Sequence, residues 1–316
     1  MKRVVVLVGL ILAIAAAWAY PDRPVKLIVT YPPGGGNDVI ARLLAQKLTE
    51  SMGQPVVVEN HVGAGGTIGT ARAAKAPPDG YTIVLVSTPF AMAPAFYPNL
   101  PYDTLKDLAP ITLVGTAQNV LVVHPAVPAK SVAELIAYAK ASPGKISAAT
   151  LGGATTQHLA AGLFNQLAGT DILLVPYKGS APAMNDLLGG QVQMLFNAMP
   201  TTMPHVKAGR LRALAVTGLH RAADAPELPT VAETLPGYEI VTWWGLLAPA
   251  GTPQPVLESL YREFAQALDK SDVRSKLGEM GVSIEAGGPA AFAALTTAEI
   301  AKWSKLIRLL GLKPEG

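Results

Sequence analysis

Two glycine-rich segments of the chain carry the residue types that bind a small anion. The first, residues 30–38, reads TYPPGGGND and follows an apolar, β-branched run at residues 25–30. Apolar residues recur at helical spacing from Val39 onward. Because glycines turn the chain tightly and leave room against the first amides of a helix, this segment predicts a carboxylate or phosphate site. Asn37 or Asp38 can cap the helix.

A glycine-rich turn without a ligand is the alternative for this segment taken alone. Two nucleotide motifs are not met. No Gly-Lys-Ser/Thr follows the glycines, so the lysine and the magnesium-binding hydroxyl of a Walker motif are lacking. Val39 stands where a dinucleotide fingerprint needs a third glycine after Gly34 and Gly36.

A second segment about 120 residues later repeats the order of strand, small-residue loop and helix. Residues 146–160 read ISAATLGGATTQHLA. Thr155 or Thr156 suits a helix cap, and an apolar stripe continues the helix behind it. Two such helix N-termini can face each other across a cleft and bind the same anion.

Residues 1–19 have the three parts of a secretory signal peptide. Lys2 and Arg3 form a basic start, residues 4–17 carry no charge, and residues 17–19 (AWA) match an Ala-x-Ala cleavage site. The apolar stretch is short for a membrane span, and an uncleaved anchor is the competing interpretation. Without a cysteine the chain has no lipoprotein site, disulfide or thiolate zinc site.

Cleavage after Ala19 removes two basic residues and no acid. The 25 Lys and Arg and 22 Asp and Glu then become 23 and 22, a net charge of +1. No basic cluster or basic-aromatic stripe is present, so nucleic-acid binding is not supported.

The mature length of roughly 297 residues predicts two domains, since single cores usually split near that size. Strands and helices alternate as in doubly wound α/β units. We expect lobe 1 to comprise residues 20–118 and 219–316 and lobe 2 residues 119–218, with crossovers near 115–122 and 215–222. The predicted strands are 25–30, 56–59, 81–87, 120–124, 146–150, 173–177, 192–196 and 211–217. The predicted helices are 38–51, 67–74, 132–141, 156–167, 181–188, 255–270, 272–281 and 289–310.

From Pro24 almost to the C-terminus the chain resembles the substrate-binding proteins of tripartite tricarboxylate transporters, the Bug family of periplasmic receptors. The landmarks that carry this resemblance are short, and their order along the chain makes them specific together. They are YPPGGGND at 31–38, VEN at 58–60, GAGG at 63–66, PDGYT at 78–82, Tyr102-Asp103, LAPI at 108–111, His158-Leu159, VPYKG at 175–179, LAV at 214–216, LPT at 228–230 with Glu233, WGL at 244–246 and APAGTP at 248–253.

The resemblance implies a type II periplasmic-binding-protein fold, with two α/β lobes joined by two crossover strands and one small carboxylate ligand between them. In the family the loops at 31–38 and 150–158 hold the ligand, with ordered water in the first. Two departures stand out. The second glycine of the second loop is shifted to Gly153, and Asn197 replaces an aspartate common in relatives, which disfavours an amino-acid ligand.

Other candidates carry a structural alternative. His158 can donate to a carboxylate or brace its loop, and Tyr177 can reach an anion at a strand end. Ser87-Thr88, at the end of another strand, can bind a ligand or cap the next segment, and Thr88 is taken as the site candidate. The turn at 63–66 is interpreted as structural and Trp243 with Trp244 as packing near the hinge. The remaining histidines show no metal spacing, so no metal or cofactor is expected. The ligand-binding candidates are Tyr31, Pro33, Gly34, Gly35, Gly36, Asp38, Thr88, Thr150, Gly152, Gly153, Thr155, Thr156, His158, Tyr177 and Asn197.

These features predict a monomeric periplasmic receptor that closes over a small mono- or dicarboxylate and delivers it to a membrane permease with large and small subunits. A binding protein that signals to a membrane sensor is the alternative. A secreted hydrolase is disfavoured, because the chain has no cysteine and no Gly-x-Ser-x-Gly elbow, and its histidines have no triad context.

We expect the exported protein to begin at Tyr20, because the Ala-x-Ala pattern places cleavage after Ala19. Sequencing the mature N-terminus measures this directly. A full-length chain retained in the membrane would contradict the signal-peptide interpretation.

Overall fold

The computed structural model describes residues 20–151 and 155–311. The predicted signal peptide and two of the ligand-binding candidates, Gly152 and Gly153, lie outside the described residues. Within the described part, no helix is both long enough and apolar enough to cross a membrane.

Strands and helices alternate through most of the chain. The strands are β1 Val25–Val29, β2 Val56–Asn60, β3 Thr82–Ser87, β4 Leu108–Val123, β5 Ser147–Thr150, β6 Leu173–Pro176, β7 Met194–Ala198, β8 Arg212–Val216, β9 Val241–Pro249 and β10 Ser283–Gly287. The helices are α1 Gly36–Met52, α2 Thr67–Ala74, α3 Pro89–Phe96, α4 Val132–Ala141, α5 Thr156–Ala168, α6 Ser180–Leu188, α7 Met199–Lys207, α8 Gln254–Asp269, α9 Ser271–Glu279 and α10 Pro289–Leu309.

The strands form one curled, mixed sheet in the order β2-β1-β3-β9-β4-β7-β5-β6, with β8 and β10 also paired to β4. Strands β1, β2 and β3 are parallel, as are β5, β6 and β7. The long strands β9 and β4 run antiparallel to their neighbours and stand between these two parallel groups. The carboxyl ends of the two parallel groups therefore lead into the loops that precede α1, α3 and α5.

Strand β4 belongs to both halves of the sheet. Its residues from Leu108 to Gln118 pair with β9, whereas those from Asn119 to Val123 pair with β7. The change of partner coincides with the boundary predicted between the lobes at residue 118, and the division into lobes itself stays a prediction.

The apolar run of β1 is buried on both faces, which explains why it lacks polar alternation. Leu27 and Val29 pack in a core with Leu44 of α1 and Phe264 of α8. Ile28 lies in a second core, which continues through both halves of the sheet and includes Phe164 of α5. One continuous apolar layer thus supports both loops of the predicted site.

Four elements were absent from the sequence prediction: α3, α7, β9 and β10. Helices α3 and α7 each contain an internal proline, Pro94 and Pro204, which argues against a helix in sequence. Strand β9 is central, but its partners β3 and β4 are more than a hundred residues away in the chain. The sequence of residues 241–249 contains no local signal that would predict its pairing with β3 and β4.

A buried carboxylate ties the last helix to the long strands. Glu299 of α10 is 4% exposed and accepts hydrogen bonds from the indole N–H groups of Trp243 (3.0 Å) and Trp303 (2.8 Å). Lys302 Nζ lies 2.8 Å from Glu299 Oε1 and 3.2 Å from Glu239 Oε2, so the carboxylate is paired as well as hydrogen-bonded. This cluster places Trp243 in the packing beside the crossover strands, as the sequence predicted.

We expect Glu299→Ala to lower the free energy of unfolding by about 3 kcal/mol, because it leaves two buried indole donors without their acceptor and removes one of the two carboxylates that pair with Lys302. Urea unfolding monitored by tryptophan fluorescence measures this. Glu258→Ala, an exposed acid on α8, is the control and should change stability by less than about 0.5 kcal/mol. Equal effects of the two variants would contradict the structural role of Glu299.

Candidate functional site

A cavity of about 730 Å³ lies where the loops of the two sheet halves meet. It is bounded by the β1–α1 loop, the β3–α3 loop, strand β9 and the start of α5. The residues that line it are Tyr31, Pro32, Pro33, Gly34, Gly35, Gly36, Asn37, Ser87, Pro89, Thr155, Thr156, Gln157 and Thr242.

The first loop presents backbone to the cavity. Gly34 has φ +81°, a left-handed conformation that favours glycine, and Gly35 is the extended N-cap residue of α1. No side chain caps α1, so the predicted cap by Asn37 or Asp38 is wrong. The uncapped first turn leaves backbone N–H groups beside the cavity, where an anion can accept from them.

Asp38 braces this loop instead of lining the cavity. Its side chain is 3% exposed and accepts hydrogen bonds from Gly34 N (2.9 Å), Arg42 Nε (2.9 Å) and Asn60 Nδ2 (2.8 Å). The Arg42 guanidinium, more than the amide donors, lowers the pKa of Asp38 to about 2. With its oxygens engaged, the carboxylate holds Gly34 in place and has no free position for a ligand.

Asn37 and Ser87 line the cavity and were not among the predicted site residues. Asn37 Nδ2 donates to Ser87 Oγ (3.3 Å), and Asn37 Oδ1 accepts from Trp244 Nε1 (2.7 Å). These bonds fix the carboxamide between strands β3 and β9. Thr242 and Gln157 were missed as well.

Asn37 and Gln157 occupy equivalent positions, each two residues after the N-cap of its helix. Both residues could have been predicted as site residues, because each is a polar residue in the first turn of a helix that follows a glycine loop.

The second loop ends in a capped helix. Thr155 is the N-cap of α5, and its hydroxyl accepts from His158 N (3.3 Å), which confirms the predicted cap. Thr155 and Thr156 both line the cavity, as Tyr31, Pro33 and the three glycines 34–36 do on the opposite side. The structure therefore brings the two predicted loops together at one cavity.

His158 points away from this cavity. Its Nδ1 lies 3.2 Å from Thr150 Oγ1, and its ring borders a separate cavity of about 520 Å³ beside Gly162 and Asn165. Burial lowers the pKa of His158, so the ring is neutral at pH 7. These contacts match the bracing alternative rather than direct donation to a ligand.

Four other candidates lie outside the cavity lining because their polar groups face protein partners. Thr88 is buried and its hydroxyl accepts from Trp243 N (2.9 Å), while Thr150 is buried beside His158. The Tyr177 hydroxyl donates to Asp186 Oδ2 (2.7 Å). Asn197 is 1% exposed and donates to Thr202 Oγ1 (3.0 Å).

None of the described residues that line the cavity carries a charged side chain. The polar groups available there are backbone amides, hydroxyls and carboxamides. All of them can donate hydrogen bonds, and a carboxylate can accept these bonds. No group of three or more His, Asp or Glu in the described ranges is placed to hold a metal ion.

The fold and this cavity define a solute-binding protein. A family profile described as "Tripartite tricarboxylate transporter family receptor" matches residues 40–312, and the chain belongs to this family. Its members are periplasmic solute-binding receptors and not enzymes. The two-lobed periplasmic-binding fold and the family resemblance predicted from the sequence are confirmed.

Three similar proteins illustrate the relationship. BugT of Bordetella pertussis is 38% identical over 322 aligned residues, covering 99% of this chain and 99% of that protein. An R. palustris protein solved with adipate is 36% identical, with a TM-score of 0.77 and coverage of 94% and 100%. MatC from Rhodopseudomonas palustris, solved with bound malate, is 32% identical, with a TM-score of 0.73 and coverage of 91% and 100%.

We expect Asp38→Asn to lower the free energy of unfolding at pH 7 by about 2 kcal/mol, because a pKa held near 2 in the folded state lies below the unfolded value of about 3.9. This contribution is present above about pH 4 and is lost as the pH falls toward 2. The difference between wild type and Asp38→Asn should therefore shrink over that window in urea unfolding.

Asp224→Asn, a change at an exposed acid, is the control for this experiment. A difference between wild type and Asp38→Asn that stays constant from pH 7 to pH 2.5 would contradict the bracing role of an ionised Asp38.

Proposed function

We propose that this protein is a monomeric receptor that binds a small dicarboxylate in the cavity between its lobes. It delivers the ligand to a tripartite tricarboxylate-type permease made of a large and a small membrane subunit. Plain monocarboxylates are weaker ligands and amino acids are excluded. The observation that carries this proposal is the pair of helix N-termini, α1 and α5, that meet at an uncharged cavity.

The two N-termini supply the attraction for an anion. Each has unpaired backbone N–H groups in its first turn and the positive end of a helix dipole. On the α5 side the Thr155 and Thr156 hydroxyls add donors, and on the α1 side the Asn37 carboxamide and Ser87 hydroxyl do so. Hydrogen bonds to a charged acceptor are the stronger class, so a carboxylate gains most here.

An amino acid finds no carboxylate partner for its ammonium group among the described residues that line the cavity. Asp38 is the acid nearest in sequence to the lining, and its oxygens are engaged by Gly34, Arg42 and Asn60. Asn197 is neutral and bonded to Thr202. A second carboxylate on the ligand avoids the cost of burying an unpaired ammonium, because it finds further hydroxyl and amide donors along the lining. Adipate and malate, bound by two relatives, are both dicarboxylates.

Closure follows from contacts on both sides of the cavity. A ligand that touches the α1 loop and the α5 loop together stabilises the closed arrangement, because only that arrangement offers both sets of donors. The permease then distinguishes the closed receptor from the open one. A sensing role uses the same closure. Genes for a large and a small permease subunit beside this gene support transport, and a sensor-kinase gene supports signalling.

We expect calorimetric titration to detect binding of adipate or malate and no binding of glutamate under the same conditions. Thr155→Val should lower dicarboxylate affinity about ten- to a hundredfold, because it removes a hydroxyl donor to a charged acceptor. Thr155→Ser, which keeps the hydroxyl and the helix cap, should bind like wild type.

Thr155→Val also removes the cap of α5 and should cost about 1 kcal/mol of stability, so thermal melts must show that it remains folded. A folded Thr155→Val protein with wild-type affinity would remove the α5 loop from the site. Tighter binding of glutamate than of either dicarboxylate would overturn the proposed ligand class.

A further inference from the structure

A second, much smaller cavity lies behind the wall of the ligand cavity. Its volume is about 10 Å³. Tyr31 and Ser87 line both cavities and separate them. On its far side the small cavity is lined by the start of α2, by Phe90 and Ala93 of α3, and by Tyr102.

The Tyr102 hydroxyl is buried in this cavity without a partner among the described residues. Tyr102 is 7% exposed, and its ring stacks on Phe90 with centroids 6.5 Å apart and planes 3° from parallel. Thr70 lies beside the phenol. The Thr70 hydroxyl hydrogen is donated to Gly66 O (2.9 Å), which leaves its oxygen only as an acceptor, and its geometry toward Tyr102 does not form a hydrogen bond. A buried hydroxyl without a hydrogen bond costs free energy, so a partner is expected in the cavity.

Helix α2 begins at the wall of the small cavity. It starts at Thr67 after Gly65 (φ +62°) and Gly66 (φ +97°), and no side chain caps it. A Cβ on Gly66 would lie 3.1 Å from Thr30 Oγ1, so only glycine allows the turn to approach β1 this closely. Gly65 and Gly66 thus form one side of the small cavity, which Thr70, Ser87 and Tyr102 line with hydroxyl-bearing side chains.

We propose that the small cavity is a binding site for one water molecule, which the Tyr102 and Thr70 hydroxyls hold against Ser87. This water fixes the wall that Ser87 and Tyr31 form for the ligand. Tyr102 is then a positioning residue for the ligand cavity, a role that rests on the proposed function. The water site itself does not.

Both the volume of the small cavity and the groups that line it favour water as the occupant. The volume suffices for one water and no larger molecule, and a buried water needs two to four polar partners. The Tyr102, Thr70 and Ser87 hydroxyls are such partners. No acidic residue lines the cavity, so a cation would have no counter-charge. Burial, the largest cause, raises the pKa of Tyr102 to about 12, so the phenol remains a neutral donor.

The wall connects the water to the ligand side through hydrogen bonds. Ser87 Oγ accepts from Asn37 Nδ2 (3.3 Å), and Asn37 accepts from Trp244 Nε1 (2.7 Å). Tyr31 donates to Gly65 O (3.2 Å), at the turn that leads into α2. A water that orients the Ser87 hydroxyl therefore acts on Asn37, whose carboxamide lines the ligand cavity.

The experiment compares wild type with Tyr102→Phe by high-resolution crystallography, urea unfolding and titration with adipate and malate. We expect density for a water about 2.6–3.2 Å from Tyr102 Oη in wild type and its loss in Tyr102→Phe. The urea midpoint should fall, because a satisfied hydrogen bond is removed, and dicarboxylate affinity should fall about three- to tenfold. Tyr238→Phe is the control, since that buried hydroxyl donates to Ala160 O (3.1 Å) away from the cavity. It should lower the urea midpoint and leave affinity unchanged.

An empty cavity in wild type, together with a higher urea midpoint for Tyr102→Phe, would overturn the water site, because removal of a dry, unpartnered hydroxyl stabilises a protein. If Tyr102→Phe binds dicarboxylates as tightly as wild type, the water does not fix the wall that Ser87 and Tyr31 form for the ligand, and that part of the proposal is overturned. The crystallographic and urea measurements need no ligand. A wild-type protein that binds neither dicarboxylate therefore counts against the proposed function and not against the water site.

Discussion

The continuity of strand β4 is the constraint on which the rest of the site depends. One strand of sixteen residues pairs with β9 and β10 on one side of residue 118 and with β7 and β8 on the other. The loops before α1 and α5 are anchored to different halves of the sheet, and β4 with β9 sets how far apart they lie. In the proposed closure, bending of these strands changes the gap between the loops without altering either loop, because each loop is braced by its own half.

Bracing of the loops explains how the proposed anion site is built without a charged side chain among the described residues that line the cavity. The charged groups of the first loop, Asp38 and Arg42, neutralise each other next to the glycines and do not reach the cavity. What remains toward the cavity on this side is the glycine backbone together with uncharged side chains such as Asn37 and Ser87. Donors held in place before binding cost little reorganisation when a carboxylate arrives, and the absence of a fixed cation avoids the desolvation of a second charge. The same arrangement leaves ligand binding dependent on geometry more than on pH.

The sequence predicted both glycine loops and the helices behind them, because apolar periodicity, glycines and cap residues are local signals. It did not predict β9, whose pairing with β3 and β4 is decided by residues far away in the chain. The same limit affected single residues. At the end of β3 the predicted site included Thr88, yet Ser87, the last residue of the strand, lines the cavity. Thr88 already has helical backbone angles at the start of α3, and its buried hydroxyl accepts from Trp243 N. Asp38 was placed in the site because it belongs to the first glycine loop. Its carboxylate accepts hydrogen bonds from Gly34, Arg42 and Asn60 and does not line the cavity.

The carboxamides on the two walls of the cavity are held differently, and in the proposed receptor this difference bears on how ligands are distinguished. Asn37 is held by both Ser87 and Trp244, so the α1 side is preorganised. Gln157, at the equivalent position of α5, receives a hydrogen bond from the neighbouring Thr156 hydroxyl (3.2 Å) within its own helix turn. A carboxamide with a local partner exchanges that partner for a ligand at little cost, whereas one fixed between two strands does not. In the proposed receptor the α1 wall is therefore the preorganised side of the cavity, and the α5 wall is the side that adjusts to the ligand.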